Sequence, residues 1–263
     1  MNKTIWMCWF QGWDKAPEIA EYCLESWKKY NPEWNIVLLD ENNYKEYIQI
    51  DKVLPGLETN FISLGDILRL FLLKEHGGVW ADATLFCNKP LDSWIHEYDD
   101  SFVFTRKDKM IASWFVSAQT NSYVVEQWYY YMVRFWQYRM KETDTFEQQY
   151  GWIHALFRQC YSNSKEFQSI IDSMDKIDCF SDGQSRGKGP HLFAPYRKYF
   201  YKPISDEIRN RIDSKVDPVY KLSYKANTDW RSTSKRGIHP DTQKIMLDYP
   251  ADSELHYLLS TLK

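Results

Sequence analysis

The stretch from Ser63 to Phe86 limits the fold more than any other. An apolar helical run, Leu64 to His76, is stopped by Gly77-Gly78 and followed at once by an apolar strand, Val79 to Phe86. Adjacent glycines end a helix because the positive φ of a helix stop costs them little. A helix feeding a buried strand directly requires a sheet with helices packed on it. The preceding chain has the same character. Lys3 to Phe10 reads as a buried strand ending at Gln11-Gly12, and Pro17 opens a helix with Ile19, Tyr22, Cys23 and Trp27 along one stripe. Asn31-Pro32 breaks that helix, and Asn35 to Leu39 is a second strand. Strand, helix, strand in this order implies parallel pairing through a right-handed crossover. In open sheets of that kind ligands bind beyond the carboxyl ends of the strands.

The later chain is expected to be helical over Asn121 to Met140, Phe146 to Tyr161 and Lys165 to Met174, with strands near Tyr196 to Tyr201 and Val219 to Tyr224. No internal repeat is visible. Asp182 to Pro190 is the one linker-like stretch and is too short to divide the chain, so residues 1–263 read as a single α/β domain. Its sheet is expected to be mostly parallel, twisted and flanked by helices, with additional helices in the C-terminal half.

Composition removes several classes. A chain of 263 residues that is 44% hydrophobic and 26% charged has the make-up of a soluble globular protein. A formal net charge of -3 argues against a nucleic-acid binder, which needs a basic surplus. Cys8, Cys23, Cys87, Cys160 and Cys179 are odd in number and scattered, which suggests neither a disulfide framework nor a zinc site, and favours a reducing compartment. No run approaches the ~20 apolar residues of a membrane-spanning helix, and the apolar start is too short for a secretory signal. A cytoplasmic protein is expected. Aromatic residues make up 17% of the chain, and sugars, nucleobases and membrane interfaces all use flat rings.

Asp66 and Arg69 stand one helical turn apart near a helix start. Two readings are open: Ser63 with Asp66 as a capping box and Asp66 with Arg69 as an ordinary helix ion pair, or the pair as part of a site. Asp82 is a carboxylate among small and apolar neighbours, costly there unless paired or bound to a cation. On a continuous strand Asp82 and Thr84 point to one face, making a candidate cation and sugar site. His191 after Gly189-Pro190 is either structural or a ligand for metal or phosphate, and His76 is expected to interact with the carbonyls ending its helix. The rings between Tyr123 and Tyr138 point all round their helix, one face for the core and another open to an acceptor sugar or lipid. Between Gly183 and Lys202, five Lys/Arg mix with Tyr196, Tyr199, Phe200 and Tyr201 and no acidic residue. That mixture suits an anionic membrane surface, or a loop over a diphosphate.

Three pieces in order carry a resemblance: Ile5-Trp6-Met7-Cys8-Trp9-Phe10-Gln11-Gly12, Gly65-Asp66-Ile67-Leu68-Arg69, and Gly77-Gly78-Val79-Trp80-Ala81-Asp82-Ala83-Thr84. Together they resemble the bacterial capsular polysaccharide synthesis proteins, which are similar to the Asp-x-Asp sugar transferases that include yeast mannosyltransferases and clostridial glucosylating toxins. It is strongest over residues 3–90, and thins to Gly189-Pro190-His191, Tyr220-Lys221-Leu222 and Ser253-Glu254-Leu255-His256. The resemblance implies a GT-A-like fold, with residues 1–105 as a nucleotide-sugar-binding half and 106–263 as an acceptor-side half. It implies that Trp9 lies against the base, with Phe10 and Gln11 beside it at the donor. Asp66 and Arg69 would hold donor sugar oxygens, and Asp82 would contact ribose and a metal-bound donor.

The chain departs from that pattern where Gly65 replaces a serine and Thr84 replaces the second aspartate. A neutral hydroxyl would hold Mn²⁺ or Mg²⁺ weakly or through water. Asp82, Thr84 and His191 are the expected metal residues. A sugar transferase must also neutralise charge building on the departing diphosphate, for which Arg69 and Lys221 are the candidate cations. The expected activity is transfer of a sugar from a nucleotide-sugar donor, a UDP-sugar above others, to a capsular or other surface glycan or lipid-linked glycan, with retention at the anomeric carbon. Contact with the inner face of an anionic membrane is part of the expectation. The alternatives are a protein-glucosylating effector and a non-catalytic nucleotide or carbohydrate binder.

Overall fold

The computed structural model describes residues 1–105, 111–141, 151–174, 177–179, 181–224 and 249–263. These form β1 (Thr4–Cys8), α1 (Glu18–Tyr30), β2 (Asn35–Leu39), α2 (Ile50–Val53), α3 (Phe61–His76), β3 (Gly78–Ala81), β4 (Leu85–Cys87), β5 (Ser101–Thr105) and β6 (Ile111–Ala118). There follow α4 (Tyr123–Arg139), α5 (Trp152–Asn163), α6 (Lys165–Ser173), α7 (Tyr196–Tyr199), α8 (Asp206–Asp213), β7 (Val219–Lys221) and α9 (Glu254–Ser260). Two compact units alternate along the chain: Met1–Phe10, Ile36–Ala81 and Ile95–Lys176 make the first, and Gln11–Asn35, Asp82–Trp94 and Ile177–Lys263 the second.

The first unit holds a five-stranded sheet in the order β2-β1-β3-β6-β5. β1 and β3 run parallel, with Ile5 opposite Val79 and Trp6 opposite Trp80. β6 runs antiparallel to β3, and β5 antiparallel to β6. The α/β class with helices packed on a central sheet is therefore met, and β6 and β5 add an antiparallel flank to the parallel pair. α3 packs on β3 and β6, α4 on α3, and α5 on α4 and β6. Trp128, Met132 and Trp136 form the buried stripe of α4, whereas Tyr130 and Tyr138 are exposed. The helix-to-strand join needs both glycines. Gly77 and Gly78 have φ of 67° and 92°, and a Cβ on Gly78 would lie 2.5 Å from the Thr4 carbonyl oxygen.

In the second unit β4 and β7 pair antiparallel, Leu85 opposite Lys221, and α1 packs on β4. Trp27 donates its indole N–H to the Leu85 carbonyl at 2.7 Å. The core gathers Cys23, Phe86, Phe193, Phe200, Tyr220 and Leu258. Arg186 forms a two-pronged pair with the fully buried Glu254, at 2.9 and 2.5 Å, and Arg211 another with Asp217, at 2.7 and 2.8 Å. Neither pair was anticipated from the sequence.

Several expectations change. The strand expected over Val79 to Phe86 is two strands in different sheets, separated by a turn in which Leu85 N–H donates to the Asp82 carbonyl. Asp82 and Thr84 are on that turn. The helix expected from Leu64 starts at Phe61, where the Asn60 side chain caps it by accepting from Ser63 N–H at 2.9 Å. The Ser63 hydroxyl accepts instead from Trp152 Nε1–H, so Ser63 and Asp66 are no capping box. The strand expected over Tyr196 to Tyr201 is the short helix α7. β5, β6, α8 and α9 were not foreseen. Of the expected Phe146 to Tyr161 helix, residues 146–150 lie outside the described residues, and α5 runs on to Asn163.

Candidate functional site

In the first unit, α3 presents Asp66 and Arg69 one turn apart. Arg69 Nη1–H donates to Asp66 Oδ1 at 2.5 Å, and the two side chains are 5% and 16% exposed. The guanidinium lies 5.1 Å from the centroid of the Trp80 ring, which β3 presents from the parallel partner of β1. A charge this buried needs both contacts: the carboxylate compensates it, and the ring face adds roughly 0.5 to 2 kcal/mol. The ordinary surface ion pair, worth a few tenths of a kcal/mol, is not what the helix carries. Trp80 joins this pair although nothing along the chain reveals that β3 brings its ring under α3.

Trp9 follows β1 directly and is half-buried, its N–H donating to the Leu39 carbonyl at 2.9 Å. The Phe10 ring is stacked on Phe61 at 5.0 Å and meets Tyr44 edge-on. Gly65 leaves room: a Cβ there would meet Phe10 at 3.7 Å, an ordinary contact. His76 does not use its ring on the carbonyls ending α3. Its Nε2–H donates to the Tyr47 carbonyl at 2.7 Å, while Gly77 N–H closes the helix on Leu73.

The chain enters the second unit at Gln11, which is exposed, and again at Asp82. There a second cluster forms. Lys221 lies opposite Leu85 across the β4–β7 pair, and its ammonium donates to Thr84 Oγ1 at 2.6 Å and lies 3.5 Å from Asp82 Oδ2. Thr84 is nearly inaccessible, whereas Asp82 and Lys221 keep side-chain exposures of 30% and 17%. The backbone fixes the same geometry, since Leu222 N–H donates to the Thr84 carbonyl. Carboxylate, hydroxyl and ammonium within hydrogen-bonding range can bind sugar hydroxyls through the first two and phosphate oxygens through the third.

The chain matches the family described as capsular polysaccharide synthesis protein over residues 1–237. It belongs to that family. The O-glycosyltransferase braB of Annulohypoxylon truncatum is 26% identical over 98 residues, covering 32% of this chain and 23% of that protein. The chain thus spans less than a quarter of that relative's length. The solved PaToxG glycosyltransferase shares 15% identity with a TM-score of 0.44, over 66% of this chain and 74% of its own.

In this chain the metal residues expected from the resemblance do not fit a divalent ion. Lys221 is already bound to both Asp82 and Thr84. Its charge cancels that of Asp82, so no net negative charge remains in the trio to attract a cation. A divalent ion about 4 Å from the ammonium would be repelled by roughly 8 kcal/mol at an effective dielectric constant of about 20. His191 donates from Nδ1 to the Cys179 carbonyl. Among the described residues, no three His, Cys, Asp or Glu side chains converge as a metal site.

In the basic aromatic stretch of the second unit the rings turn inward, while Lys188, Lys198 and Lys202 are exposed. Tyr199 and Phe200 are buried, Tyr196 and Tyr201 pack against the core, and Arg186 lies 3.9 Å from the Tyr199 ring centroid as well as on Glu254. The Arg197 side chain lies outside the described residues. Among the described residues, no helix is long and apolar enough to cross a membrane.

Proposed function

We propose that the protein is a glycosyltransferase that takes a sugar from a nucleotide-sugar donor, a UDP-sugar in the first instance, and passes it to a capsular or other surface glycan. The observation that carries this reading is the Asp82–Thr84–Lys221 trio on the turn directly after the parallel strand β3. Membership of a capsule synthesis family and the partial match to an O-glycosyltransferase support it. In the second unit, Asp82 and Thr84 are read as acceptors for donor hydroxyls and Lys221 as a cation for its diphosphate. In the first unit, Trp9 is read as a base-stacking ring and Asp66 with Arg69 as a sugar-binding pair, in line with the GT-A-like reading of the sequence.

The bond from the donor anomeric carbon to the diphosphate oxygen breaks, its electron pair leaving with the diphosphate. The acceptor hydroxyl oxygen bonds the same carbon, and its proton passes to the departing phosphate oxygen on the same face, which retains the configuration. Stabilising the charge on that leaving group is the main task of the protein.

A panel of UDP-, GDP- and CMP-sugars, read by thermal shift and by donor hydrolysis, tests the reading. One donor should raise the melting temperature and be hydrolysed, and Asp82→Ala should remove the hydrolysis while the variant melts cooperatively. Binding without turnover under any condition would mark a non-catalytic donor binder. No binding at all would reject both.

A further inference from the structure

An Asp-x-Asp pattern supplies a second carboxylate to the turn. Here the second position is Thr84, and the atom its hydroxyl meets is a lysine nitrogen delivered by a strand far along the chain. Lys221 Nζ reaches Thr84 Oγ1 at 2.6 Å and Asp82 Oδ2 at 3.5 Å. The lysine is not a flexible surface group. Its backbone is paired to β4 at Leu85, its neighbours Tyr220 and Leu222 are buried, and its side chain is 17% exposed. An ammonium bound to a neutral hydroxyl and a carboxylate keeps donor capacity, since it has three N–H bonds to give.

We infer that Lys221 takes the place of the divalent cation, so that the protein binds and cleaves its donor without metal. This rests on the glycosyltransferase reading above. Replacing the second aspartate by threonine removes one negative charge from the turn, and Lys221 adds a positive one. Both changes remove the net negative charge that would hold a metal ion, and leave the ammonium as the group of the trio that can meet the donor diphosphate. As the bond between sugar and diphosphate breaks, the electron pair that stays on the phosphate oxygen meets a fixed ammonium charge. Besides accepting from donor hydroxyls, Thr84 and Asp82 hold the ammonium in place, so that no reorganisation is needed when charge develops.

The full chain, stripped of metal by EDTA and dialysed, is tested for UDP and GDP binding by calorimetry and for hydrolysis of the responding donor. Turnover is expected to be the same with EDTA and with Mn²⁺, and the Mn²⁺ electron paramagnetic resonance signal with protein and nucleotide together is expected to equal that with nucleotide alone. Lys221→Met should lower donor turnover by about 100-fold or more with added Mn²⁺ giving no recovery, and Lys221→Arg should retain part of the activity. Turnover that vanishes in EDTA and returns with Mn²⁺, or stoichiometric Mn²⁺ binding by the wild-type chain, would overturn the inference while leaving the glycosyltransferase reading intact. Those two arms need no variant, so a misfolded Lys221→Met does not blunt the test. A chain that binds neither nucleotide under either condition sinks both proposals.

Discussion

Lys221 donates to the Thr84 hydroxyl across 2.6 Å, although 137 positions separate the two residues. The β4–β7 pair creates this contact, because it sets Lys221 opposite Leu85, the residue after Thr84. A hydroxyl at that position satisfies the ammonium without neutralising it. An aspartate there would add a second negative charge to the turn and give the trio the net negative charge that a cation needs.

Arg69→Ala should both inactivate and destabilise. Asp66 would stay largely buried without its guanidinium, and breaking such a pair costs about 3 to 5 kcal/mol. The double variant Asp66→Asn with Arg69→Met should recover much of the stability in urea unfolding but no donor hydrolysis. If the double variant still turns over donor, the pair is a scaffold for α3 and nothing more.

Trp9→Ala should weaken donor affinity more than it slows the chemical step, because base stacking contributes about 1 to 3 kcal/mol to binding. Calorimetric titration with the nucleotide alone reads this directly. Equal nucleotide affinity in the two proteins would remove Trp9 from the base.

Gly65→Ala should stabilise the protein by about 0.5 to 1 kcal/mol, since a glycine inside α3 costs conformational entropy and the new methyl meets Phe10 at an ordinary distance. The check is a chemical denaturation midpoint at an unchanged slope. A lower midpoint would show that the backbone at Gly65 is needed bare.

Stability should fall as pH rises past about 9. Burial pushes the Cys87 thiol from 9.0 up to about 12, and raises Cys23 as well despite the nearby Lys221 charge. Below pH 9 the thiols are protonated in both states and the contribution is complete. Above it the unfolded chain loses the protons that the folded chain keeps. At pH 10 each fully buried thiol then lowers stability by about 1 kcal/mol, the loss continuing towards the folded values. Melting temperatures between about pH 8 and pH 10 test this, and Cys87→Ala and Cys23→Ala should flatten the alkaline decline. A flat profile in the wild type would contradict it.

Local order was readable where one segment carries its own signal. β2 begins and ends where its apolar run does, Asn35–Leu39, and α3 ends at the glycines whose positive φ the chain needs. β6 escaped because all eight of its residues are buried, so no alternation marks it. The aromatic run after Pro195 has strand composition but packs as a helical turn, with Tyr199 and Phe200 directed into the second unit's core. Asp82 and Thr84 were expected to share a strand face. They share the Lys221 ammonium instead, from a turn.

The sequence by itself determined the α/β class, the helix-to-strand join at Gly77-Gly78, the one-turn spacing of Asp66 and Arg69, and the replacement of an aspartate by Thr84. These follow from covalent order and local backbone preference, which act within a few residues. The tertiary structure decided what those groups meet: Arg69 lies over Trp80, and Lys221 is bound to Asp82 and Thr84. Such contacts depend on which strands pair and in which register, and that is set by the burial of the whole core rather than by any segment.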